Sequence, residues 1–192
     1  MHDTQMMPYC MYGEGSISAM ETIATLSAGR VEWLAKEFTA EAWPKSKGYF
    51  AQCFAAQERG ELVVLVAADG DALLGYVKVV WLSEYAPFRE AGIPEIQDLN
   101  VVPAARGTGV AMRLLDRAEA LIRQRSPVAG IAVGLHPGYA AAQRLYARRG
   151  YVPDGKPLQY HGVPVREGQE VRLDNDLTMN LTKELRGRGL GS

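Results

Sequence analysis

The run Asp98-Leu99-Asn100-Val101-Val102-Pro103-Ala104-Ala105-Arg106-Gly107-Thr108-Gly109-Val110-Ala111 carries the densest chemical signal in the chain. An apolar, β-branched stretch meets a proline, a short glycine-rich turn follows, and an amphipathic segment begins. That order sets a row of main-chain N–H groups at a helix N-terminus. Those donors lack intrahelical partners, and the helix dipole favours an anion, so the turn suits a phosphate. Gly107 and Gly109 let the main chain approach a bulky anion because no Cβ stands in the way. The turn lacks the Gly-Lys-Ser/Thr ending of a nucleotide P-loop, which disfavours Mg-NTP.

The elements that must hold this turn follow from periodicity and turn chemistry. Glu95 to Val102 is expected as the strand leading into it, and Thr108 to Arg125 as the helix leaving it. Val110, Leu114, Leu115, Ala118, Leu121 and Ile122 form one apolar stripe on that helix, at the spacing of a buried face. Val128 to Leu135 follows as a buried strand, then Tyr139 to Arg149 as a second amphipathic helix stopped by Gly150. Upstream, Ala19 to Leu26 is expected as a strand, Arg30 to Trp43 as a helix broken by Trp43-Pro44-Lys45, and Gly48 to Glu58 as another helix. Glu61 to Ala68 and Ala72 to Leu82 make a hairpin around Asp69-Gly70-Asp71. Ser83 to Ile93 is expected as a loop, Tyr151 as the start of a strand, and Asp176 to Lys183 as the last one. There is no internal repeat and no linker. The expectation is a loosely held arm over residues 1–15 and a single α/β domain over 16–192.

Composition narrows the function classes. The chain has 192 residues, 47% of them hydrophobic, which suffices for one domain with a real core. A formal charge of -1 supplies no basic field for nucleic acid or a membrane surface. No stretch approaches ~20 uninterrupted apolar residues, so no membrane span is expected. Met1-His2-Asp3-Thr4-Gln5 has no basic n-region followed by an apolar h-region, so no secretory signal is expected. Cys10 and Cys53 are expected as unpaired thiols, which points to the cytoplasm. No His/Cys/carboxylate cluster has metal-ligand spacing, so no metal is expected.

Arg106-Gly107-Thr108-Gly109-Val110-Ala111 fits the pattern Arg/Gln-x-x-Gly-x-Gly/Ala, and it follows a strand ending Leu-Asn-Val before Pro103. A second strand comes next, then Tyr139-Ala140-Ala141-Ala142-Gln143-Arg144-Leu145-Tyr146-Ala147-Arg148-Arg149-Gly150-Tyr151. Together these features resemble the GNAT superfamily of acetyl-CoA-dependent N-acetyltransferases, closely over Ala72 to Pro153 and more loosely before it. The resemblance implies a mixed, twisted sheet whose central strands splay apart, with helices on both faces and acetyl-CoA in the gap. It implies that Leu99, Asn100 and Val101 offer main-chain groups to the pantetheine arm, and that Arg106, Gly107, Thr108, Gly109, Val110, Ala111 and Met112 surround the pyrophosphate. Tyr139 stands where many members have a cofactor-contacting Asn. Gly134 stands where the ribosomal-protein N-terminal acetyltransferases have a carboxylate, which argues against their mechanism.

Acetyl transfer to an amine requires that the amine lose a proton, that the carbonyl oxygen meet a donor, and that the leaving thiolate meet an acid. Members of the resembled family often carry a Tyr at the place of Tyr146, which makes it the candidate acid; it also shares an apolar face with Tyr139 and Ala142. Glu95 is the candidate base, since some members carry a Glu at a matching distance before the glycines. Asp98 is the runner-up, and a water chain is a third route. Strand alternation puts Glu95 and Asp98 on opposite faces unless a β-bulge intervenes. Trp43, Lys45, Trp81 and Tyr85 are candidates for the acceptor side, although each aromatic also fits a core or rim position. His136 reads as a hydrogen-bonded structural residue or a base, and His161 as a surface turn residue.

Carboxylates available for a polycationic acceptor are Glu37, Glu41, Glu95, Asp98, Asp174 and Asp176. They suit an aminoglycoside-like antibiotic or a polyamine, and the resemblance sharpens this to an aminoglycoside of the kasugamycin type, since some family members of similar length acetylate those. A peptide or protein amine, and a sensor that binds acyl-CoA without turnover, stand as alternatives. Homodimers are common among small enzymes of this kind, and nothing in the residues contradicts one.

Overall fold

A computed structural model describes residues 21–40, 45 and 48–185. The strands within them form one sheet in the order β1-β2-β3-β4-β5-β9-β7-β8, with β6 paired to β9. The longer strands are β2 (Leu62–Asp69), β3 (Ala72–Val80), β4 (Glu95–Val101), β5 (Val128–Gly134) and β9 (Leu177–Glu184). β1 (Thr22–Thr25) forms one edge, and β6 (Val152–Pro153), β7 (Gln159–Tyr160) and β8 (Val163–Pro164) are two-residue strands. Every pairing is antiparallel except β4 with β5. The helices are α1 (Val31–Ala40), α2 (Tyr49–Glu58), α3 (Ala86–Ala91), α4 (Val110–Ile122) and α5 (Ala140–Arg148).

Alternation along β3 divides the two faces. Tyr76 packs edge-on against Phe38 of α1 and Phe50 of α2, with ring centroids 4.7 and 5.2 Å apart. On the other face α4 lays Val110, Leu114, Leu115, Ala118 and Ile122 against β2, β3, β4 and β5. Each of the Val, Leu and Ile side chains contributes roughly 1.5–3 kcal/mol on burial. The mixed sheet with helices on both faces is the architecture expected from the sequence.

Two features of β4 shape the site. It pairs with β5 only at Glu95/Gly130 and Ile96/Ile131, and beyond that the two strands part. Against β3, Tyr76 stands opposite Asn100 and Lys78 opposite Gln97, so Asp98 and Leu99 together face Val77. This is a β-bulge, and Asp98 takes a left-handed φ of 52° in it. Such a conformation costs a non-glycine residue about 1–3 kcal/mol and persists only where neighbours enforce it.

The segment 83–93, expected as a loop, contains α3. Pro87 sits in its first turn, Gly92 ends it at φ 63°, and Phe88 is buried. A Cβ on Gly130 would come within 2.3 Å of the Phe88 ring, so the glycine in β5 is what lets α3 dock. The helices expected over 108–125 and 139–149 are shorter at both ends, and Pro137–Tyr139 forms a 3-10 turn before α5. The expected arm over residues 1–15 lies outside the described residues.

Candidate active site

Where β4 and β5 part, a cleft of about 980 Å³ opens, lined by both strands, the glycine turn and α5. Leu99, Asn100 and Val101 form one edge of it, and Arg106, Gly107, Gly109, Val110, Ala111 and Met112 another. Gly109 is the N-cap of α4 at φ 89°, and no side chain caps that end. The first amides of α4 therefore remain donors for an anion. Arg113 closes over the turn, donating Nη1 to the Thr108 carbonyl at 3.1 Å and pairing with Glu21 at 2.5 Å. Thr108 is not part of the lining. Its hydroxyl turns inward and donates to the Ala105 carbonyl at 2.7 Å.

Tyr139 and Tyr146 line the cleft from the α5 side. Tyr146 is 6% exposed, and burial, reinforced by Tyr139, pushes its phenol up to about 12. It is therefore protonated at neutral pH and able to donate. Tyr139 lies over Gly134, where an added Cβ would come within 2.4 Å of its ring.

Glu95 and Asp98 both line the cleft but differ in their partners. Glu95 is 6% exposed, and Oε2 accepts from Ser83 Oγ at 2.5 Å and from Gln97 Nε2 at 3.0 Å. Ser83 Oγ itself accepts the Tyr85 N–H at 3.0 Å. Asp98 is committed elsewhere. Its Oδ2 takes Lys45 at 3.2 Å, Lys78 at 3.3 Å and the Tyr49 hydroxyl. Burial works against its charged form, but Lys78, Tyr49 and Lys45 outweigh it and hold the carboxyl below its ordinary value. The bulge brings Asp98 to the face that carries Lys78 and Gln97, the condition under which both carboxylates share a side of the sheet. Beside this cluster the Tyr76 hydroxyl is buried without a partner among the described residues.

The remaining expected acceptor residues are dispersed. Trp81 lies under the Arg125 guanidinium, 4.0 Å from its ring centre, and does not line the cleft. Three residues past Lys78, alternation turns it to the α4 face. Tyr85 donates to Asp154 at 2.8 Å, packs edge-on against Phe88 and is also absent from the lining. Asp174 accepts from the Tyr160 hydroxyl at 3.2 Å and Asp176 pairs with His161 at 3.3 Å; both hold the β7–β8 hairpin instead of facing the cleft. Trp43 and Glu41 lie outside the described residues. His136 accepts the Gly138 N–H at Nδ1, so Nε2 carries the hydrogen donated to Asn175 at 2.8 Å.

A family model described as the acetyltransferase (GNAT) family matches residues 28–151. The chain belongs to the GNAT family. It is accordingly an acyltransferase whose donor is acetyl-CoA. Three solved structures illustrate the shared fold. The Salmonella typhimurium protein yncA, solved with acetyl-CoA, is 20% identical with a TM-score of 0.61 over 88% of this chain and 96% of its own. A ribosomal-protein-alanine N-acetyltransferase from Brucella melitensis is 20% identical, TM-score 0.61, over 85% of this chain and 99% of its own. The spermidine/spermine N-acetyltransferase SpeG from Vibrio cholerae is 16% identical, TM-score 0.59, over 86% of this chain and 94% of its own. No curated protein matches the chain.

Within this GNAT enzyme four residues that hold the two cleft carboxylates escaped sequence reasoning: Ser83, Gln97, Tyr49 and Lys78. Gln97 and Lys78 left signals. Gln97 is two residues from Glu95 on a strand and so shares its face, and Lys78 is a lone charge inside the apolar run of β3. Ser83 and Tyr49 left none, because their partners are distant in sequence.

Proposed function

We propose that this chain transfers an acetyl group from acetyl-CoA to a primary amine of a small molecule, with Glu95 accepting the amine's proton and Tyr146 donating toward the leaving sulfur. Acetyl-CoA supplies the acyl group in an activated thioester. A nitrogen–carbon bond forms as the carbon–sulfur bond breaks, one proton leaves the amine, and one reaches the sulfur. The observation that carries this reading is that Glu95, buried and oriented by Ser83 and Gln97, lines the same cleft as Tyr146 and the glycine turn. Main-chain groups of Leu99 to Val101 on the cleft edge offer partners to the pantetheine arm and to charge developing on the carbonyl oxygen. The buried, unpaired Cys53 thiol suits a reducing compartment such as the cytoplasm.

An aminoglycoside of the kasugamycin type is the finer candidate, and it needs carboxylates for its ammonium groups. Glu95 supports it. Asp98, Asp174 and Asp176 do not, because each is already tied to a partner in the protein. Aminoglycosides therefore enter as one acceptor class among several.

The test mixes the protein with acetyl-CoA and a panel of aminoglycosides, polyamines, peptides and amino acids, and follows free thiol. Rapid thiol release with one class is the expected result, with Glu95→Gln slowing turnover about 100-fold. Tight acetyl-CoA binding without turnover on any class would replace the enzyme reading with a sensor.

A further inference from the structure

We infer that the acceptor amine also carries an acidic group, a carboxylate, that docks on Lys45 and Lys78 while the amine lies at Glu95. This rests on the transfer reading above and names the acceptor class for it.

The charges on the α1–α2 face of the site are unequal in two places. Glu95 is held by two neutral donors, Ser83 and Gln97, and by no cation among the described residues. A buried carboxylate in that state gains from an incoming ammonium. A few residues along, the balance reverses. Lys45 and Lys78 share one carboxylate, Asp98, so the cluster is one positive charge in excess among the described residues. Both ammonium groups also lie over the Tyr49 ring, at 4.4 and 5.3 Å from its centre. Neither lysine lines the cleft itself, but both contact Asp98, which does, and their side chains are 29% and 12% exposed, so a ligand that extends past Asp98 meets them.

The two imbalances are neighbours. Lys78 stands opposite Gln97, which is two residues from Glu95, a rise of about 7 Å along the strand. The molecule that complements this arrangement is a compact zwitterion, with an ammonium and a carboxylate a few bonds apart. A polycation does not complement it, because any ammonium beyond the reacting one meets two lysines of like charge.

The experiment compares free-thiol release from acetyl-CoA for amino acids of increasing amine-to-carboxylate length and for the carboxamide of each. The expected result is a kcat/KM about 10- to 100-fold higher for the acid than for its own amide at the best length, expressed mainly in KM. Lys45→Met and Lys78→Met each collapse that acid-to-amide ratio toward one, a readout that mere loss of stability does not move. Lys45 is the more exposed of the two, so its variant stands if Lys78→Met fails to fold. Amides equal to or better than acids, or polyamines better than both, would overturn the proposal while leaving the transferase reading intact. Failure of every amine, with acetyl-CoA still binding by calorimetry, would overturn both.

Discussion

Ser83 donates one hydrogen bond to Glu95 and accepts one from the Tyr85 main chain, so it ties the candidate base to the start of α3. Ser83→Ala removes a bond to a charged group, worth about 1.5–3 kcal/mol. If that bond orients the carboxylate for proton transfer, kcat falls about 10-fold or more while KM for acetyl-CoA holds. Steady-state kinetics with both substrates varied checks the split; a change confined to KM for acetyl-CoA would contradict it. At the same scale Asp98 and Glu95 illustrate what residue type leaves open. Both are acids in one strand and both line the cleft, and only their partners separate a carboxylate locked by two lysines from one held by neutral donors.

The glycine turn and α4 act as a unit. Gly109 holds φ 89°, and any side chain there is strained and meets Arg113, whose Nη1 lies 2.8 Å from an added Cβ. Gly109→Trp is expected to abolish measurable acetyl-CoA binding in calorimetry while most of the fold survives, since the strain is confined to one turn. Unchanged heat would show that the cofactor lies elsewhere. The turn was legible from the sequence because it is local: a proline, two glycines and an apolar stripe suffice to define it. α3 was not, because its six residues carry no full amphipathic period and it exists through Phe88 docking over Gly130. The bulge at Asp98 was foreseen only as a condition. Nothing in Gln97-Asp98-Leu99 marks an extra residue until β3 is laid beside it.

At the scale of the molecule, Glu119 joins three elements. From α4 it accepts Arg149, just past α5, at 2.9 Å, Lys183 of β9 at 2.6 Å and the Tyr151 hydroxyl at 3.2 Å. Glu119→Ala strands the largely buried Lys183 and leaves Arg149 with Asp116 alone, and is expected to cost up to about 3 kcal/mol, read as a lowered urea midpoint. The buried tyrosines set the alkaline limit. Burial raises the phenols of Tyr49, Tyr76, Tyr146 and Tyr151 above their ordinary value, Tyr146 to about 12. Below about pH 10 both folded and unfolded chains keep these protons, so stability is level there. Above it the unfolded chain ionises first. Stability then falls by about 1.4 kcal/mol per pH unit for each such tyrosine, for Tyr146 until its own pKa near 12 is passed. Urea titrations at pH 8, 10 and 11 check this; a midpoint unchanged at pH 11 would contradict it.

Periodicity and turn residues marked the glycine turn and most of the long elements, and the Arg106 to Ala111 pattern carried the resemblance to the family. Those signals live within a few consecutive residues, where backbone sterics and apolar spacing act directly. Which acids line the cleft, and which of them a cation holds, was decided only by tertiary structure. Strand register, one inserted residue in β4 and lysines from distant segments set the charge balance around Asp98 and Glu95, and charge balance depends on neighbours in space.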